Sequence, residues 1–277
     1  MYCNHKFNYI ALHSVPRSGS SWLGQIINSC PNVIYKFQPL FSYKFKDFLN
    51  ETSTSSRINS FFRKISETKD DFLDQTGQIE GGFYPEFEKD RINTIVYKEV
   101  RYHHILKNML DQFRDIKIVG LVRNPLSVIN SWLKAPREFR RDLGWSEIEE
   151  WREAPKKNLS RKEEFFGYQK WKETASLFLD LERAYPNNFY LIKYIDLVQN
   201  TEKFVKQLFD FLSLEYSGQT DVFLHKSMIK DLDNEYAVYK VKRIDSSWKD
   251  ELNSEIIQLI VKDIEGTLFQ KFMDTGV

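Results

Sequence analysis

The sequence predicts an α/β protein, a three-layer sandwich around a central, mainly parallel sheet. Three observations point there. Short apolar runs suited to buried strands alternate with segments of helical periodicity. Their order of strand, helix, strand, helix, strand, helix implies right-handed crossovers between parallel neighbours. A chain of 277 residues that is 42% hydrophobic and 29% charged is long enough to bury one substantial core. The expected organisation is a single domain over residues 1–277, with insertions or lids at about 41–90 and 135–165.

Tyr9–Val15 is the first apolar run, and Pro16–Ser21 after it is rich in small polar residues. Trp22–Ser29 reads as a helix with Trp22, Leu23, Ile26 and Ile27 on one face, stopped by Pro31 and Asn32. Val33–Tyr35 fits a second short strand. The Ser/Thr cluster Thr52–Ser56 fits a loop or a helix start, and Gly81-Gly82 a loop. Ile92–Tyr97 reads as a strand, Arg101–Phe113 as a helix, and Ile116–Val122 as the most convincing buried strand. Pro125 suits the first turn of a helix running through Ser131 and Trp132. Dense charge from about residue 135 to 159 marks the second insertion. Arg161–Tyr185 reads as one long amphipathic helix, Phe189–Ile195 as a strand, Thr201–Leu212 as a helix and Ser254–Phe272 as a helical tail.

A net charge of +1 argues against a dedicated nucleic-acid binder, while leaving room for a local anion site. Two cysteines, Cys3 and Cys30, imply no disulfide framework. No run approaches the ~20 apolar residues of a membrane span. Met1–Asn8 lacks the apolar stretch of a signal peptide, so a cytoplasmic location is expected.

Two segments carry chemistry. Val15-Pro16-Arg17-Ser18-Gly19-Ser20-Ser21-Trp22 lies where a strand meets a helix. The unsatisfied N–H groups and the dipole of a helix start favour an anion there. Gly19 permits close backbone approach, Ser18, Ser20 and Ser21 add hydroxyls, and Arg17 adds a planar fork for phosphate or sulfate. Trp22 offers a ring to a nucleobase. Taken alone, the loop fits a serine-capped helix with a solvated arginine somewhat better than an anion site. The Walker pattern G-x-x-x-x-G-K-[ST] is absent, so ATP use does not follow. The second segment, Lys117–Pro125 running on to Ser131, again ends a buried strand at a cation, Arg123. Ligands in open α/β sheets bind at the carboxyl ends of strands. Ser131 lies about two helical turns past Arg123 and can face the same pocket.

In this order the two segments resemble the donor-binding motifs of sulfotransferases that use 3′-phosphoadenosine-5′-phosphosulfate (PAPS). The first looks like that family's 5′-phosphosulfate loop, the second like its 3′-phosphate segment. Pro16–Leu40 is similar to the carbohydrate branch, which has Arg where aryl and steroid enzymes have Lys, and LVRNPLSVINSW is close to its LVRDPRAV-type segment. Asn188–Leu197 and Trp248-Lys249 also resemble family segments. The resemblance implies a P-loop nucleoside-triphosphate-hydrolase-like sulfotransferase fold. It also implies binding of PAPS and its product PAP without a metal, and transfer of sulfonate to an acceptor hydroxyl, that of a saccharide or glycoconjugate. Arg17 to Ser21 would hold the 5′-phosphosulfate with Trp22 near the adenine, and Arg123 and Ser131 the 3′-phosphate. Lys242 and Arg243 make a looser match to a further basic loop, for which a solvated charge pair is an equal reading.

Arg17 and Lys98 are the candidates for stabilising charge in the reaction. Lys-x-x-Arg at that strand end resembles the carbohydrate branch and the tyrosylprotein sulfotransferases. The general base is harder to place. Relatives carry Glu in a Phe-Glu-Pro-like context, whereas this chain reads Phe37-Gln38-Pro39, and a neutral amide takes no proton. Glu99 and His103 stand level as replacements, the first adjacent to Lys98 on a strand whose side chains alternate, the second with the better intrinsic pKa. Trp132, Trp145, Trp151 and Trp171 offer stacking surfaces for sugar rings or material for the core. Two alternatives remain: a non-catalytic nucleotide-binding protein, which Gln38 favours, and a P-loop phosphotransferase, which the missing Gly-Lys-Ser/Thr disfavours.

Overall fold

Asn8–Ser14 (β1) is buried at every position but its first, and Thr94–Glu99 (β3) at every position. Such strands need covering on both faces. Lys117–Val122 (β4) is nearly the same, while Val33–Phe37 (β2) and Phe189–Lys193 (β5) are only partly buried. The sheet order explains the difference. It runs β2-β3-β1-β4-β5 with every pair parallel, so the two least buried strands form the edges. A computed structural model gives this architecture and describes residues 7–273 apart from 233, 235, 236 and 242–245.

The strand period of two sends alternate residues into two cores. Ile10, Leu12, Val96, Val119 and Leu121 pack against Trp22, Leu23, Ile26 and Ile27 of the Ser20–Asn28 helix (α1). Ala11, Ile95, Tyr97, Ile118 and Val122 pack on the other face, against Ile129 and Trp132 of the Pro125–Leu133 helix and Trp171 and Phe178 of the Tyr168–Ala184 helix. Each such apolar side chain contributes about 1.5–3 kcal/mol by leaving water. The helices that follow β1 and β4 therefore lie on opposite faces, although these two strands are neighbours. That juxtaposition opens a crevice at their carboxyl ends.

Residues 41–90 enter between β2 and β3. Their Ser55–Glu67 helix starts at Thr54, whose hydroxyl caps the Arg57 N–H, and buries Ile58, Phe61, Phe62 and Ile65 in the second core. Residues 135–165 form short turns, including Arg141–Leu143, Glu147–Glu150 and Pro155–Asn158.

Several expected elements are corrected. The long helix begins at Tyr168, not Arg161, because Phe165 and Phe166 turn into the interior and Gly167 takes φ 88. A Cβ at Gly167 would lie 2.8 Å from the Arg152 carbonyl oxygen. β5 stops at Lys193, and Ile195 belongs to a short Tyr194–Gln199 helix. The helix after β3 is Leu106–Gln112, preceded by a 3-10 turn at His103–Ile105. The C-terminal helix ends at Ile264, ahead of Gly266 at φ 72, and a Gly218–Ile229 helix was not anticipated. Among the described residues no helix is long and apolar enough to cross a membrane.

Candidate functional site

The loop after β1 is pinned to the sheet by Val15 N–H, which donates to the Leu121 carbonyl of β4 at 3.1 Å. Arg17 at φ 63 and Gly19 at φ 81 then turn the chain into α1. Gly19 is the N-cap and brings no side-chain oxygen, so the helix start is left uncapped by its own loop. A Cβ at this residue would stand 2.7 Å from the Tyr194 ring, so positive φ and close packing both require glycine. The Ser18 hydroxyl is fully buried and has no hydrogen-bond partner. An orphaned buried donor beside an uncapped helix start fits an anionic oxygen.

β4 delivers the second cation. Arg123 Nη1 donates to the Arg17 carbonyl at 3.1 Å, and its guanidinium lies 4.8 Å from the Tyr194 ring centroid. Arg17 Nε donates to Ser131 Oγ at 3.1 Å, joining the two motifs directly. The Arg123 backbone is held by Trp171, whose indole N–H donates to its carbonyl at 2.9 Å. Around these groups opens a cavity of about 410 Å³. Arg17, Ser18, Gly19, Ser20, Ser21, Trp22, Lys98, Arg123 and Ser131 all line it. Trp22 shows little of its ring there: it is 2% exposed, and its indole N–H donates to Ser227 Oγ at 3.0 Å. Lys242 and Arg243 lie outside the described residues, while Lys240 and Ser247 on either side of them line the cavity.

Lys98 reaches the cavity from the end of β3. Burial pushes its ammonium down to about 7, against support from Glu99, and the ammonium sits 4.5 Å from the Phe37 ring centroid. Glu99, one residue on, points away as the strand alternation requires. Its Oε1 accepts the Leu40 N–H at 2.8 Å, and burial pushes its carboxyl up to about 8, against the lowering effect of Arg101. His103 is wholly buried. Its Nδ1 lies 3.0 Å from that of His13, whose Nε2 meets the Tyr97 hydroxyl at 3.0 Å. Burial holds His103 well below the ordinary histidine value and takes His13 down to about 3. The structure thus gathers Lys98 with the donor loop but brings neither Glu99 nor His103 to the cavity wall. Gln38 does line it, and its Oε1 accepts from Arg101 Nη1 at 3.0 Å, while Arg101 Nε pairs with buried Glu164 at 2.9 Å.

Glu99 gives a clean stability test. Its folded value lies above that of an unfolded chain. The folded state is therefore favoured most below the ordinary carboxylate range and loses that advantage as pH rises toward about 8. Glu99→Gln keeps an oxygen for Leu40 N–H. Its melting temperature is expected to exceed the wild type's at pH 8, and the difference to shrink toward pH 4.5, as thermal melts across pH will show.

Tyr194, Glu138, Phe37 and Phe166 also line the cavity and were missed from sequence. Tyr194 follows β5 directly, so the strand-end logic that found Arg123 applied to it as well. Glu138 carries no such signal. Of the two readings of the tryptophans, the core one holds for Trp132, Trp151 and Trp171, which are buried, while Trp145 is half-buried and packs against the core.

A model of the sulfotransferase domain family matches residues 8–276. A search of curated proteins found no match by sequence. Among solved structures, mouse sulfotransferase SULT7A1 complexed with PAP aligns at 14% identity and TM-score 0.54, covering 96% of this chain and 86% of that one. A sulfotransferase from Alicyclobacillus acidocaldarius aligns at 14% and 0.53, covering 97% of each. A retinol dehydratase in complex with retinol and PAP aligns at 15% and 0.53, covering 95% and 83%. These likenesses establish the expected fold class.

Proposed function

Because the chain belongs to the sulfotransferase domain family, we propose that it moves a sulfonate group from PAPS to a hydroxyl of a saccharide or glycoconjugate and releases PAP. The observation that carries this reading is one cavity where an uncapped helix start, the orphaned Ser18 hydroxyl and the cations of Arg17, Lys98 and Arg123 converge. Bound PAPS supplies a sulfonate already joined to a good leaving phosphate. The chain's own residues supply the rest. Ser18, Ser20, Ser21 and the first N–H groups of α1 receive the 5′-phosphosulfate. Arg17 and Lys98 stabilise negative charge building on the leaving oxygen. Arg123 and Ser131 take the 3′-phosphate, with the Tyr194 ring behind Arg123 fixing its plane. The saccharide half of the proposal is supported by the resemblance of Pro16–Leu40 to the carbohydrate branch.

Calorimetric titration tests it. PAP is expected to bind with micromolar affinity in the presence of a chelator, and ATP not to bind. Labelled PAPS should then pass its label to hydroxyls in a panel of glycosides. ATP binding without PAP binding would overturn the reading in favour of a phosphotransferase. PAP binding with no turnover would favour the non-catalytic alternative, which the neutral amide of Gln38 supports.

A further inference from the structure

We infer that Glu138 is the group that takes the proton from the acceptor hydroxyl; this rests on the sulfotransferase reading. As the acceptor O–H bond breaks, its electron pair forms the new oxygen–sulfur bond and the proton passes to a Glu138 carboxylate oxygen. The sulfur–oxygen bond to the 5′-phosphate breaks, and that pair stays on the PAP oxygen.

The candidates from sequence leave the task open. The Gln38 amide is tied to Arg101, Glu99 is closed off against Leu40 N–H, and His103 is enclosed with His13. Among the described residues that line the cavity, Glu138 is the one carboxylate, and no histidine is present. Its place is built rather than incidental. The chain turns just past the Pro125–Leu133 helix, with the N–H groups of Glu138 and Phe139 both donating to the Ala135 carbonyl at 2.9 and 2.7 Å. Phe139 is 1% exposed and meets Trp132 edge-on at 5.6 Å, which fixes the backbone beside it. The carboxylate is oriented by Lys157, whose Nζ donates to Oε2 at 2.5 Å, with the two side chains 25% and 15% exposed. The same ammonium lies 4.5 Å from the ring centroid of Phe166, another cavity wall. Glu138 is also near enough to Lys98 to act on its charge, favouring the ammonium. A base and the cation that assists the leaving group thus face one cavity, as a displacement needs.

The test compares Glu138→Gln and Lys157→Met with the wild type. Labelled PAPS is the donor, with water and methyl glycosides as acceptors, and PAP affinity is measured alongside by calorimetry. Glu138→Gln is expected to lose on the order of 100-fold or more in kcat, with PAP affinity unchanged and the acid limb of the pH–rate profile gone. Lys157→Met keeps the carboxylate but removes a positive charge from it. It should stay active, with a far smaller loss in kcat than Glu138→Gln and PAP affinity unchanged. Turnover by Glu138→Gln at the wild-type rate overturns the inference. So does a loss that Lys157→Met reproduces in full, since the ion pair alone would then matter. Failure of the wild type to bind PAP overturns the sulfotransferase reading itself, and this inference with it.

Discussion

Arg123→Ala is expected to weaken PAP binding severely, while the protein stays folded. The guanidinium stands at the carboxyl end of β4, beside the Arg17 carbonyl and over the Tyr194 ring. Truncating one partner of a desolvated, charge-assisted contact costs about 2–5 kcal/mol, and each ~1.4 kcal/mol is tenfold in affinity, so a loss of roughly 30-fold to several thousand-fold follows. The fold should survive because the anchor at this position is the backbone carbonyl bonded to Trp171, which alanine retains. Arg123→Lys should fall between the two, keeping charge but not the planar fork. Calorimetry with PAP, paired with a thermal melt, reads both effects. Unchanged PAP affinity in a folded Arg123→Ala would remove the 3′-phosphate from this end of the cavity and leave the donor reading without its second motif.

What was legible in the sequence follows from what local chemistry can report. β1, β3 and β4 were readable because central parallel strands must be apolar on both faces, and the loop after β1 because its glycine and serines serve a helix start. That Arg17 and Arg123 share a cavity follows from one fact of topology, the adjacency of β1 and β4. Other features depended on distant partners. The break at Gly167 is set by the Arg152 backbone, fifteen positions earlier, and Tyr194 matters because it packs under Gly19. The four tryptophans carry the same composition whether they face a sugar or a core, and only packing decides. Glu138 was invisible because it lies in a charged insertion where most carboxylates meet solvent, and what singles it out is the turn that aims it.

Lys98→Met is expected to lower kcat by on the order of 10²–10³-fold, the usual loss when one donor aimed at developing charge is removed. PAP affinity should fall far less, because the product lacks the sulfonate whose transfer builds that charge. The pH dependence separates this role from a structural one. Burial places the free-enzyme Lys98 at about 7, so kcat/KM should decline as pH rises through that value and the ammonium is lost. A bound anionic donor favours the ammonium, so the same limb in kcat should lie at higher pH. Lys98→Arg, which does not titrate in this range, should lack the limb. Stability should move the opposite way from activity. The folded value of Lys98 lies below the ordinary 10.5, so the folded chain binds fewer protons than the unfolded one between about 7 and 10.5, and stability gains with pH across that window. Below it, the buried ammonium is a full penalty. Lys98→Met fills the place with an apolar chain of similar length and should melt higher than the wild type at pH 6. An inactive variant that is more stable than its parent would show that the fold carries this lysine for the reaction; a variant that loses both stability and turnover would make Lys98 a structural residue.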